Sequence, residues 1–190
     1  MQVLDFGLGL FLMDLLLFNI LHKYGAISPL VDWCALFIAE YLPYILALAA
    51  IIVIFRSKNW RFKMWTLLVL VFSLLLSYGF LNIIIHYAYG RPRPFTVLGF
   101  TPPFSETSSS FPSSHATFFF TIAYVMFLIR RKTGYWFLAL AILNGFARVF
   151  VGVHWPFDIV GGALIALIGF FITLRIFPKN DFVESLSETQ

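Results

Sequence analysis

Five long apolar stretches, with almost no charge inside them, decide what this chain can fold into. Trp33 to Phe55 carries one charged residue, Glu40, and Trp65 to Ile85 carries none. Phe111 to Ile129 breaks its apolar run near its start, at Ser113, Ser114 and His115. Tyr135 to Val153 has one charge, Arg148, and Trp155 to Leu174 has one, Asp158. These lengths approach or exceed the roughly 20 apolar residues that cross a bilayer. Lipid offers no water to backbone N–H and C=O groups, so such spans are helical. The expected fold class is all-α and integral to a membrane, a bundle of five transmembrane helices. A soluble domain is excluded, because only 12% of the residues are charged, against about a quarter in soluble domains.

The N-terminal stretch is of another kind. Phe6 to Leu21 is apolar but contains Asp14 and Asn19, and no Lys or Arg precedes Lys23. Without a basic start or a small-residue cleavage site it is not a signal peptide. A helix lying in the membrane interface is expected, because the turn residues Gly25 and Pro29 leave a short link to the next span. A sixth span is the alternative.

Basic residues orient the bundle. Arg56, Lys58, Arg61 and Lys63 crowd one loop, Arg130 to Lys132 another, and Arg175 and Lys179 follow the last span. Under a five-span threading all of these share one side, which the positive-inside rule makes cytoplasmic. The loops at 86 to 113 and 153 to 157 then face outward. The net charge of +4 follows from this topology and implies no nucleic acid. The single Cys34 permits no intrachain disulfide and reads as a packing residue. The one long connection, Tyr87 to Ser110, is rich in Pro, Gly, Ser and Thr, and a loop of that length is usually functional or disordered. One domain, 1–190, is expected, with a polar tail at 180–190.

Polar groups in or near hydrocarbon are costly, so their placement is a functional signal. In His154-Trp155-Pro156-Phe157-Asp158, Pro156 suits the first turn of a helix. A carboxylate at the third position reaches back and can take a hydrogen bond from His154, leaving the other ring nitrogen free to attack. A capping Asp beside an interfacial His is the structural alternative. Arg148 either snorkels to the headgroups or clamps phosphate oxygens with its planar guanidinium. Ser113, Ser114 and His115 sit where a helix begins. There, free N–H groups and hydroxyls hold anions and an imidazole can give up a proton; plain capping is the alternative. Arg93-Pro94 and Arg91-Pro92 lie in the outer loop, with His86 seven residues before Arg93, and which arginine enters a site is open.

Jointly these residues resemble the signature of the type 2 phosphatidic acid phosphatase superfamily, which reads Lys-x6-Arg-Pro, Pro-Ser-Gly-His and Ser-Arg-x5-His-x3-Asp. Here the chain has His86-x6-Arg93-Pro94, Pro112-Ser113-Ser114-His115 and Ala147-Arg148-x5-His154-x3-Asp158. The likeness covers about residues 30 to 175. It departs at His86 for lysine, Ser114 for glycine and Ala147 for serine. The relaxed first motif, the short chain and Gly152 to Asp158 followed by Gly161-Gly162 look most like the bacitracin-resistance type of undecaprenyl pyrophosphate phosphatase.

The resemblance implies an enzyme that takes a phosphohistidine on His154, oriented by Asp158, with His115 protonating the leaving group. It implies Arg93, Arg148, Ser113, Ser114 and His86 around the phosphate, with no metal and no cofactor. The implied partners are the bilayer and a polyprenyl or glycerolipid phosphate. Phosphatidylglycerol phosphate, phosphatidic acid and lipid A phosphates are rival substrates. A zinc enzyme using His115, His154 and Asp158 and a lipid-phosphate binder or transporter without catalysis are the rivals of other classes.

Overall fold

The computed structural model describes residues 2–22, 28–103 and 106–179; Lys23, Gly25 and the polar tail lie outside them. The described residues form helices and loops with no strand. Helix α1 is Gln2–His22 and α2 is Pro29–Glu40, opened by Ser28, whose hydroxyl accepts the Val31 N–H at 3.3 Å. Helix α3, Leu42–Phe55, follows at a 48° bend. The bend has a local cause. Pro43 has no N–H to give the carbonyl four residues back, so the apolar stretch read as one span is broken at Tyr41.

Helix α4, Trp60–Leu74, runs through a π-helical segment, Leu75–Leu81, into α5, Asn82–Ala88. The long connection between α5 and α7 contains a short helix α6, Pro94–Leu98, stopped by Gly99 at φ 74°. Helices α7 (Ser114–Ile129), α8 (Arg131–Phe150) and α9 (Pro156–Ile176) complete the bundle. Helix α7 is central and packs on α3, α4, α8 and α9. Its Phe119, Ile122 and Met126 meet Leu46, Val69, Phe137 and Ala166 in the main core. Gly162 lets α9 close on the start of α7, since a Cβ there would lie 2.8 Å from the Ser113 carbonyl oxygen.

Large apolar side chains such as Leu48, Trp136, Leu164 and Phe171 are exposed on the outside. An outer belt of this kind suits lipid rather than water. By length and apolar character three helices can cross a membrane, Trp60–Ala88, Arg131–Phe150 and Pro156–Ile176, and the bent α2–α3 pair makes four. Helix α7 falls short at 16 residues. Phe111 to Ser113, the start of the apolar stretch, are loop residues drawn into the site instead of helix.

Candidate active site

The start of α9 builds one side of the site. Trp155 is its N-cap, Pro156 its first residue and Asp158 its third. Asp158 Oδ2 accepts the Trp155 N–H at 2.8 Å and a very short hydrogen bond from the Ser110 hydroxyl. His154 is presented by the turn before this helix, where Gly152 has φ 83° and a Cβ would lie 2.7 Å from the Phe100 ring. His154 Nδ1 lies 3.0 Å from the Ser110 carbonyl and 3.5 Å from Asp158 Oδ2. Asp158 thus stands beside the expected ring nitrogen, and the Ser110 carbonyl is its nearer acceptor. Asp158 Oδ2 accepts from Trp155 and Ser110, and the Ser110 carbonyl accepts the hydrogen bond from the imidazole. A carbonyl only accepts, so Nδ1 carries the hydrogen and Nε2 is left with its lone pair. Burial, and next the guanidinium charges of Arg148 and Arg93, push the pKa of His154 well below the usual histidine range. The ring is therefore neutral at physiological pH.

Nε2 faces Arg93 Nη1 at 3.5 Å. Arg93 is held by Ser108 and by the Val153 carbonyl, at 2.9 and 3.0 Å. Arg148 comes from the last turn of α8 and is fully buried. Its Nη1 donates to the Ala39 carbonyl at 3.3 Å, the carbonyl that Pro43 leaves without a helical partner. Asn144, one turn earlier on α8, takes the neighbouring Ile38 carbonyl at 2.6 Å. The bend between α2 and α3 thus supplies the socket for Arg148.

Glu106 joins the two arginines, accepting from Arg93 Nη2 at 3.1 Å and Arg148 Nη2 at 2.7 Å. Sequence reasoning missed it. The available signal was that Glu106 is the sole acidic residue between Glu40 and Asp158. Arg148 Nε is buried with no partner among the described residues.

The other expected residues are distributed around this centre. His115 is on the first turn of α7, within electrostatic reach of Arg148 and Arg93 and near His154, and its ring has no hydrogen-bond partner among the described residues. Ser113 is buried; its hydroxyl accepts the Ala116 N–H at 3.4 Å and its N–H donates to the Asp158 carbonyl. Ser114 donates to Asn82 Oδ1 at 3.0 Å. Both hydroxyls therefore bond within the protein, that of Ser113 as the cap of its own helix α7 and that of Ser114 across the α7–α5 contact. His86 Nε2 meets the Pro112 carbonyl at 2.7 Å. His86, Asn82, Arg91, Arg93, Glu106 and Ser114 line an open cleft of about 740 Å³. Arg91, left open by sequence, turns inward to Asp14 and Asp158. Among the described residues no three His, Cys, Asp or Glu side chains converge as a metal-ligand set.

The motif residues thus converge on one end of the bundle, and the model of the PAP2 superfamily matches residues 66–182. The chain belongs to the PAP2 superfamily. It is 30% identical over 168 residues, 86% of this chain and 78% of the relative, to the bacitracin transport permease protein BcrC of Bacillus licheniformis. It is 29% identical to the undecaprenyl-diphosphatase BcrC of Bacillus subtilis, across 84% of this chain and 81% of that one. Among solved structures, Aquifex aeolicus LpxE superposes with a TM-score of 0.71 at 29% identity, covering 86% of this chain and 95% of LpxE. PAP2 phosphatases are hydrolases, and this PAP2 chain is a multi-pass membrane protein of the lipid phosphatase kind.

Proposed function

We propose that the protein hydrolyses undecaprenyl pyrophosphate to undecaprenyl phosphate on the outer face of a bacterial plasma membrane. The observation that carries this is a neutral imidazole whose free Nε2 faces a pair of guanidiniums already holding an anion. Glu106 marks the seat. Its carboxylate offers two oxygens to Arg93 and Arg148, and a phosphoryl group in its place offers a third for the unpartnered Arg148 Nε.

His154 Nε2 attacks the terminal phosphorus, and the bond from phosphorus to the bridging oxygen breaks. His115 gives its proton to that oxygen, and undecaprenyl phosphate leaves. The equatorial oxygens gain charge in this step, and the two buried guanidiniums are already in place to face them. Water, its proton accepted by His115, then attacks phosphorus and breaks the P–N bond, which frees inorganic phosphate and restores His154. The Ser110 carbonyl, backed by Asp158, holds Nδ1–H throughout. Arginines supply the positive charge, so activity is expected to survive EDTA and to be blocked by vanadate.

Five spans are proposed: the bent α2–α3 pair, the α4–α5 rod, α7, α8 and α9. They put Arg56 to Lys63 and Arg130 to Lys132 at the end opposite the site, which supports an outward-facing centre. Helix α1 is proposed to lie in the interface. Asp14 bonds the Phe157 N–H, Phe18 packs on Trp155, and His22 bonds the Phe150 carbonyl. Asp14 and His22 are about 12 Å apart along a helix, yet they meet the last residue of α8 and the first turn of α9, on either side of one short connection. A helix crossing the bilayer beside α9 would leave that level within a turn or two.

The substrate is favoured by the BcrC relatives and the outward cleft. The test compares kcat/KM for a prenyl pyrophosphate, phosphatidylglycerol phosphate and phosphatidic acid, reading released inorganic phosphate. Higher efficiency on either glycerolipid removes the substrate assignment. Binding of every lipid without phosphate release removes the enzyme.

A further inference from the structure

Helix α1 precedes the segment that the family model matches, yet it carries a fully buried carboxylate, Asp14. Its neighbours Met13 and Leu16 are exposed apolar residues, so an acid turned inward from this helix is costly unless it is paired. Asp14 has two partners. Its Oδ1 accepts the Phe157 N–H at 3.0 Å, one of the donors that the first turn of α9 leaves without a helical acceptor. Its Oδ2 accepts a very short, charged hydrogen bond from Arg91 Nη2. Arg91 gives its other amino group to Asp158 Oδ1 at 2.6 Å, and its guanidinium lies over the Trp155 ring, 5.6 Å from the centroid.

Arg91 therefore stands between two buried carboxylates, a geometry its planar fork suits and a point-charge ammonium does not. Its backbone serves the same purpose. The Arg91 carbonyl accepts the Ser110 N–H at 2.8 Å, and its N–H donates to Ser109 Oγ at 3.1 Å. Asp158 and the Ser110 carbonyl are the two groups that face His154 Nδ1, and Arg91 holds both.

We propose that Asp14 and Arg91 are a positioning pair through which α1 holds Asp158 and Ser110 against His154, making the N-terminal helix a working part of the site. This rests on the reading of His154 as nucleophile and Asp158 as its support. Neither residue of the pair touches the phosphoryl group. Their effect is on the aim of the imidazole, where a displacement near 1 Å can cost about 100-fold in rate.

The test uses full-length protein in detergent with a prenyl pyrophosphate as substrate and orthovanadate as binding probe. Asp14→Asn is expected to lower kcat about 10- to 100-fold while vanadate affinity stays at the wild-type level, and Asp14→Glu is expected to recover part of the rate. In an Asp158→Asn background, Asp14→Asn is expected to cause no further loss, because its effect passes through Asp158. If Asp14→Asn does not accumulate as folded protein, Arg91→Lys carries the same readouts from the other half of the pair. An unchanged kcat, a parallel loss of vanadate binding, or full additivity with Asp158→Asn would each overturn the pair as a positioning device. Full turnover in Asp158→Asn alone would instead overturn the proposed mechanism.

Discussion

His154 and Asp158 are placed by one helix start, within five residues, whereas Arg93 and Arg148 meet only because three distant segments converge. On the first side, a proline, a capping carboxylate and a glycine turn set the geometry locally. On the second, the bend between α2 and α3 frees the Ala39 carbonyl for Arg148, and the loop brings Glu106 between two like charges. The corner is local and specific in its chemistry. The cradle is collective, so its parts are expected to fail by degrees.

That contrast can be broken most severely at the corner. His154→Ala is expected to abolish turnover. Acid-labile, alkali-stable phosphate trapped on wild-type protein should be absent from the variant, and label persisting there would move the nucleophile elsewhere. His115→Ala comes next, with a loss of about 10²- to 10⁴-fold as expected for a general acid. The loss should shrink for leaving groups of low pKa, and an equal loss across leaving groups would make His115 a binding residue. On the cradle side, Arg148→Lys keeps the charge but not the fork, and a rise in KM of roughly tenfold is expected. Loss on the scale of His154→Ala would erase the distinction between the two halves.

The smallest effect is a pH dependence. A histidine with the ordinary pKa near 6.5 would lose its nucleophilic form as pH falls through that value. His154 is held well below it by burial and the two guanidiniums, so its neutral form persists there. The acid limb of kcat/KM, which reports the free enzyme, should accordingly lie well below 6.5. Half-loss of the rate at pH 6.5 would show that the cradle does not act on the corner's imidazole.

The corner was readable because its parts are neighbours in the chain: Pro156 at a helix start and Asp158 two residues later imply a capping geometry before any fold is known. One detail of it was not, since the carbonyl that accepts the His154 hydrogen bond belongs to Ser110, which only the packing of α7 against α9 brings near. Glu106 was illegible for a related reason. An acid in a polar loop is normally solvated, and nothing local shows that two arginines wait for it. Arg91 and Arg93 are two residues apart with the same following proline, and their sequence surroundings could not tell which would face the site.

What the sequence alone determined is an all-helical membrane chain with one polar, ionisable end, because burial in lipid requires long apolar helices and concentrates ionisable groups where they act. Tertiary structure decided the rest. It broke one apolar stretch at Tyr41, started α7 only at Ser114 inside its apolar run, sent Arg91 to Asp14 and Asp158, and sent Arg93 to His154. The physical reason is that a charge in a low-dielectric interior is positioned by whichever partners fold beside it, and those partners are remote in sequence.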